Sequence, residues 1–285
     1  MFRRWSKFWT EQAAIPIVLC FDSHYAPFAA VTTLSIGENA KIPSQIFWIT
    51  FEEDIAAAEK AKDSLRPHGV EVKIVPVADG LFSDFRTKGY LTRGTYLRLL
   101  IPDLISRKKA LYLDCDTIVE SSLAPLAKLR LGKSLFAGVL DPPGRHLSKI
   151  DLAQRDPYVN AGVLLMNLEE LRRADLLNSI RELAQMEGER ATFLDQCLLN
   201  KFAAGRKLVI DARWNRLLTT GKDHNDKFSH VKSDTAIFHF LTRYKPWHDY
   251  GKSTIADHWW SYADRLSLPE LQNYKPQADR IKVNC

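Results

Sequence analysis

The chain has 285 residues, 46% of them hydrophobic and 26% charged, the composition of a soluble globular protein long enough to bury a large core. Its formal charge of +6 and pI near 9.0 suit an anionic partner; because no long basic run dominates, nucleic acid is the weakest candidate beside a phosphorylated substrate or an acidic membrane surface. The four cysteines, Cys20, Cys115, Cys197 and Cys285, are far apart and form no Cys-x-x-Cys pair, which excludes a disulfide scaffold and a structural zinc quartet and reads as reduced thiols in a cytoplasmic protein.

At the amino terminus, residues 1–14 place Phe2, Trp5, Phe8 and Trp9 at helical spacing with Arg3, Arg4 and Lys7 between them. Such a segment is amphipathic; it suits an anionic bilayer surface or packing on the protein's own body. The first apolar run, residues 15–21, is too short for a signal peptide or a membrane span, and no later run reaches that length. From there strand and helix patterns alternate. Strands are expected at 15–21, 45–49 and 70–77, and helices at 27–35, 52–65 and 94–101, the last ended by Pro102. This is the βαβ rhythm of a single α/β domain with an open, mostly parallel central sheet flanked by helices. Further helical patterns cover 123–129, 168–186 and 192–202, with strands at 135–140, 208–210 and 236–240, an apolar run at 159–166 and a Pro/Gly-rich loop at 141–157.

Residues 109–119 carry the most specific signal: an apolar strand-like run that delivers Asp114 and Asp116 one residue apart. Strand alternation puts the two aspartates on one face and Cys115 on the other. Two carboxylates on one face repel unless a cation lies between them. Because the pair interrupts a run apolar enough for a central strand, it falls where a parallel sheet opens into a crevice, and it points to a divalent cation holding a phosphorylated ligand. A strand end running into an acidic turn is the plainer alternative. No Gly-x-Gly-x-x-Gly and no Gly-x-x-x-x-Gly-Lys-Ser/Thr loop is present, so neither common glycine-rich phosphate grip applies. The first strand ends instead in Phe21-Asp22-Ser23-His24-Tyr25, which can bind a base and its ribose or form an Asx turn with a surface tyrosine.

These segments, taken in order from Ile15 to about Trp247, resemble the family 8 glycosyltransferases. Phe21 to Ala26 is similar to the family's uridine-binding segment, with Asp22 for the uracil, Tyr25 stacking on it and His24 near the ribose, where relatives often carry Asn. Thr95-Tyr96-Leu97-Arg98-Leu99 resembles the helix whose arginine contacts the donor, so Arg98 is carried over. Leu111 to Asp116 is similar to the metal-binding Asp-x-Asp strand, Asp141 to an acid facing the donor sugar, and Asn160-Ala161-Gly162 to the segment lining the sugar site. Leu194-Asp195-Gln196 resembles the Asp-Gln motif, and His239 with Lys245-Pro246-Trp247 the third metal ligand and a phosphate-binding lysine.

The resemblance implies a GT-A nucleotide-diphospho-sugar transferase fold over residues 15–250, followed by an aromatic and basic extension at 251–285. It implies a UDP-hexose donor, Mn²⁺ or Mg²⁺ on Asp114, Asp116 and His239, a glycan acceptor such as a lipopolysaccharide, and transfer with retention of configuration. Two carboxylates, an imidazole and diphosphate oxygens make a hard and borderline ligand set that suits either ion. Some relatives have a second acid directly after Asp-Gln, where this chain has Cys197; this favours attack on the face the diphosphate leaves, with Gln196 stabilising the cationic sugar and Asp195 orienting its hydroxyls. The basic, aromatic tail, Trp259, Trp260, Tyr262, Arg265, Tyr274, Lys275, Arg280 and Lys282, together with residues 1–14, suggests a peripheral place on the inner face of a membrane and a lipid-linked acceptor. A sugar nucleotidyltransferase and a non-catalytic sugar-nucleotide or glycan-binding protein are the alternatives.

Overall fold

The computed structural model describes residues 14–87, 92–141, 156–218, 233–241, 245–248 and 254–275. The first strand, β1 (Ile15–Cys20), is apolar throughout because it is buried on both faces: Ile17 and Leu19 pack into the core on one side of the sheet, Val18 and Cys20 into the core on the other. Helix α1 (Ala26–Asn39) leads to β2 (Ser44–Phe51), and α2 (Ile55–Asp63) leads to β3 (Val72–Val77). Strand β4 (Lys109–Leu113) lies on the other side of β1, so β1, β2, β3 and β4 form a parallel block that is wound outward from β1 in both directions. Beyond β4 the direction changes. Strand β7 (Val163–Asn167) runs antiparallel to β4 and to β6 (Phe136–Gly138), and β8 (Lys207–Val209) pairs parallel with β6, giving the order β3-β2-β1-β4-β7-β6-β8. The chain is therefore α/β with a mostly parallel central sheet, as the sequence pattern requires.

A second sheet was not legible in the pattern. Residues 109–119 do not form one strand: β4 stops at Leu113, Asp114 to Asp116 form a turn, and β5 (Thr117–Val119) joins β9 (Arg216–Leu218) and β10 (Ile237–Phe240) in the order β5-β10-β9. The aspartates thus converge through a turn between two sheets rather than through strand alternation.

Helices cover both faces of the main sheet. On one side α1 and α2 are joined by α4 (Ala124–Lys128), α8 (Thr254–Ala263) and α9 (Pro269–Asn273); on the other lie α3 (Ile101–Leu104), α5 (Leu168–Arg173), α6 (Leu176–Glu187) and α7 (Leu194–Phe202). Two helical expectations change. Residues 93–100 form a 3₁₀ helix that runs into α3, and Pro102 sits in the first turn of α3, where its missing N–H has no helical partner to lose, so it starts a helix instead of ending one. The pattern at 168–186 breaks at Asp175, whose φ of 48° is left-handed and separates α5 from α6.

Of the carboxyl-terminal aromatics, Trp259, Trp260 and Tyr262 are core residues, whereas Tyr274 is exposed. Trp259 is 0% exposed and lies 5.0 Å from the Trp247 ring, and Trp260 Nε1 donates to the Pro246 carbonyl at 2.9 Å. Tyr262 accepts a 2.9 Å hydrogen bond from Asn39 of α1, while Arg265 pairs with Glu38 and Lys275 with Asp264. The rings of Trp259, Trp260 and Tyr262 are buried within the protein, while Arg265 and Lys275 stay at the surface with their ion-pair partners. Residues 1–13, Arg280, Lys282 and Cys285 lie outside the described residues. Among the described residues no helix is long and apolar enough to cross a membrane.

Candidate active site

The carboxyl ends of β1 and β4 are adjacent, and both carry an acid just past the strand: Asp22 after Cys20 and Phe21, and Asp114 after Leu113. In a doubly wound sheet this edge, where winding diverges, is where ligands bind. The turn that follows β4 is held from behind by α1. Thr32 Oγ1 stands 2.9 Å from the Cys115 carbonyl and 2.7 Å from the Thr117 carbonyl, its one proton shared between them, and Ser35 Oγ accepts from the Val119 N–H at 3.0 Å. These small polar residues let the buried helix approach closely while satisfying backbone groups that the turn leaves unpaired. Cys115 points into the core, so it offers the site only its backbone.

Asp114, Asp116 and His239 each present one ligand atom such that the three lie within 4.8 Å of one another. His239 Nε2 is 3.1 Å from Asp116 Oδ1 and 3.6 Å from Asp114 Oδ2. Both His239 Nε2 and Asp116 Oδ1 are buried with no hydrogen-bond partner among the described residues, an arrangement that a coordinated cation relieves. Gly162 makes this approach possible: a Cβ there would lie 2.0 Å from His239 Cε1 and 2.8 Å from Asp114 Oδ2, so any side chain would fill the site. Its carbonyl accepts from the Asp114 N–H at 2.8 Å, which fixes the turn on β7's side. The residues present therefore fit a divalent cation.

The charges around this trio are balanced by two buried cations. Lys245 donates to Asp116 Oδ2 and to the Phe240 carbonyl; burial pushes the Asp116 carboxyl up, but the Lys245 ammonium beside it outweighs this and holds it well below the usual carboxylate range. Arg98, 7% exposed, reaches Asp114 Oδ1 with Nη2 at 3.0 Å and the Ala161 carbonyl with Nη1 at 2.9 Å, and its guanidinium lies 4.4 Å from the Tyr112 ring centre. Tyr112 donates to the same Asp114 oxygen. Arg98, expected to contact a donor, is engaged by protein groups at each of its three nitrogens and holds Asp114 so that Oδ2 faces His239.

Asp195 is buried with its Oδ1 accepting from Thr95 at 2.6 Å; burial raises its pKa, countered by Arg98. Beside it Gln196 Oε1 accepts from the Ala161 N–H at 3.0 Å, and Gln196 Nε2 donates to Asp141 Oδ2 at 2.8 Å. Asn160 Nδ2 lies 3.2 Å from Gln196 Oε1 and 3.4 Å from Asp141 Oδ2. Sequence-expected Asp141, Asn160, Ala161, Asp195 and Gln196 thus form one connected wall. Asp22 follows β1: its Oδ2 accepts from Thr92, and its buried Oδ1 has no hydrogen-bond partner among the described residues. His24 is exposed and Tyr25 half-buried against Phe28, with ring centres 5.7 Å apart.

Residues 16–251 match the sequence profile described as Glycosyl transferase family 8. The chain belongs to that family. Among its relatives are General stress protein A of Bacillus subtilis, 24% identical over 86% of this chain and 92% of that protein, and the lipopolysaccharide glucosyltransferase WaaO of Escherichia coli, 25% identical over 94% and 80%. A probable glycosyl transferase of Streptococcus gordonii is 28% identical over 64% of this chain, which spans 25% of that longer protein, and the chain spans 47% of the glycosyltransferase GlyF of Streptococcus pneumoniae. The crystal structure of the galactosyltransferase LgtC with donor and acceptor sugar analogues superposes with a TM-score of 0.79 at 25% identity, over 91% of this chain and all of LgtC. The family 8 chain has the GT-A fold of LgtC and a metal-ligand cluster of the Asp-x-Asp kind.

The sequence pattern marks the charged and motif-borne members of this site but not Thr32, Tyr112 or Thr92, nor Tyr158, whose Oη is 3.3 Å from Gln196 Nε2, nor Asn215, whose Oδ1 is 2.9 Å from His239 Nδ1. Thr32 stands in an apolar helix and Asn215 beside Trp214 in an irregular stretch, so neither gave a pattern.

Proposed function

We propose that this chain moves a hexose, galactose or glucose, from a UDP-hexose to a glycan acceptor with retention of configuration, using Mn²⁺ or Mg²⁺. The observation that carries the reading is the facing pair of buried atoms His239 Nε2 and Asp116 Oδ1, without a hydrogen-bond partner among the described residues and 3.1 Å apart beside Asp114. Asp114, Asp116 and His239 would hold the cation, which as a Lewis acid would stabilise the departing diphosphate. Asp22 has an acceptor for the base, and Tyr25 an aromatic ring beside it; His24 is exposed and near the ribose in this reading. Asp141, Asn160 and Ala161 face the sugar. Gln196 is locked between Ala161 and Asp141 and presents its amide to the cationic sugar; Asp195, neutralised by Arg98, orients hydroxyls. With Cys197 buried and hydrogen-bonded, attack on the face the diphosphate leaves is favoured over a covalent intermediate.

The acceptor is a cell-surface saccharide, and a lipid-linked one at the cytoplasmic face of a membrane is consistent with the lipopolysaccharide glucosyltransferase among the relatives. Incubation with UDP-glucose, UDP-galactose and their N-acetyl forms, with Mn²⁺, Mg²⁺ or chelator, and with candidate acceptors tests this. Metal-dependent UDP release and an α-linked product are expected. Pyrophosphate chemistry would favour a nucleotidyltransferase, and binding without turnover a non-catalytic role.

A further inference from the structure

Asn215 is 0% exposed, lies just before β9, and touches both halves of the site. Its Oδ1 is 2.9 Å from His239 Nδ1, and its Nδ2 is 2.9 Å from Asn160 Oδ1. The orientation of a side-chain amide and the tautomer of an imidazole are ordinarily assignments, settled by the surrounding network. Here that network ends on backbone. The Gly162 N–H, which can only donate, is 2.9 Å from Asn160 Oδ1 and fixes that oxygen as an acceptor. Asn215 must then turn its NH₂ to Asn160 and its oxygen to His239, and His239 must carry its proton on Nδ1. In the neutral ring Nε2 is left as a lone pair aimed at Asp116 and Asp114. At the other end the Ala161 N–H fixes Gln196 Oε1 in the same way, so Gln196 turns its NH₂ to Asp141.

We propose that Asn215 is a positioning residue, an inference that rests on the metal-dependent reading above: it sets the His239 tautomer for cation binding and ties that ligand to the Asn160, Gln196 and Asp141 wall. It touches neither cation nor substrate. Its two hydrogen bonds do separable work, one accepting from His239 and one donating to Asn160.

Two variants separate them. Asn215→Asp keeps an acceptor for His239 Nδ1 and loses the donor to Asn160, whereas Asn215→Leu loses both. Titration of free Mn²⁺ by electron paramagnetic resonance should show Asn215→Leu weakened about tenfold or more, the usual cost of losing a partner behind a metal-ligating histidine, with Asn215→Asp close to wild type. The KM for the donor should rise in both variants. Thermal unfolding and far-UV circular dichroism confirm that each is folded; if Asn215→Leu does not fold, Asn215→Ala takes its place. Wild-type affinity for Mn²⁺ in Asn215→Leu, or a loss in Asn215→Asp as large as in Asn215→Leu, overturns the inference while the metal reading stands. A wild-type protein that binds no Mn²⁺ overturns both.

Discussion

Arg98 and Asp195 are ion-paired without being hydrogen-bonded to each other: Arg98 Nε stands 3.1 Å from Asp195 Oδ2 but donates to the Thr95 carbonyl at 3.0 Å. The guanidinium is the counter-charge for two acids, Asp195 and Asp114, and all three are largely shielded from water. Burial alone would lower the pKa of Arg98; the two carboxylates outweigh it and raise the pKa above its ordinary value. Arg98→Met leaves both acids without that charge, and removing one partner of a buried ion pair costs about 3–5 kcal/mol. Urea unfolding of the two proteins measures this. Arg98→Lys should fall between them because it keeps the charge and loses the fork. A cost under about 1 kcal/mol for Arg98→Met would show that the acids are already neutral or hydrated.

Acid should destabilise the fold partly through Asp116. Its folded-state pKa is depressed, so the folded chain binds this proton more weakly than the unfolded chain, in which an aspartate titrates near about 3.9. The stabilisation is complete above that value and is lost as pH falls through it toward the folded pKa. Asp116→Asn should remove metal-dependent transfer and also flatten the fall in unfolding free energy between about pH 5 and pH 2. Urea series at stepped pH check the second effect; an unchanged slope would assign acid lability to other carboxylates.

Cys197 should be dispensable. Its Sγ is 3.2 Å from Tyr158 Oη and accepts from the Phe193 N–H at 3.3 Å, and burial raises the thiol's pKa, so no thiolate nucleophile forms at neutral pH. Cys197→Ser is expected to keep most of its activity and the same anomer, and intact-mass analysis with donor alone to find no hexose adduct. A trapped sugar on Cys197 or Asp195 would establish a double-displacement route.

Trp259 should matter for folding. Its ring packs against Phe28, Trp247 and Trp260, joining α8 to α1 and to the segment that carries Lys245. Trp259→Ala is expected to cost about 3–5 kcal/mol by denaturant unfolding. A near-neutral result would mean that α8 contributes little to the core.

The parallel part of the fold was readable because β1, β2 and β4 are buried on both faces and therefore apolar almost without interruption. The break at Leu113 was not, because Asp114-Cys115-Asp116 is followed by Thr117-Ile118-Val119, which continues a strand pattern while moving to another sheet. Among site residues, acids and His239 announced themselves by charge in apolar surroundings. Arg98 was legible as a site residue, but its pairing with Asp195, 97 positions away, is a product of the fold. The tail was ambiguous for a related reason. Trp259, Trp260 and Tyr262 look alike in sequence whether their rings meet lipid or α1, and only the partner surface distinguishes the two.

The ligand trio draws on two sheets: Asp114 closes the main one, while Asp116 opens the smaller one, and the Phe240 N–H beside His239 donates to the Asp116 carbonyl at 3.0 Å. A cation held there acts as a rivet between separately hydrogen-bonded layers. By mass action it stabilises the states in which both layers are docked and leaves untouched the strands remote from the joint. Amide exchange should accordingly slow on adding Mn²⁺ in β5, β9 and β10 and stay constant in β2 and β3, which makes the small sheet a reporter of occupancy that works without substrate.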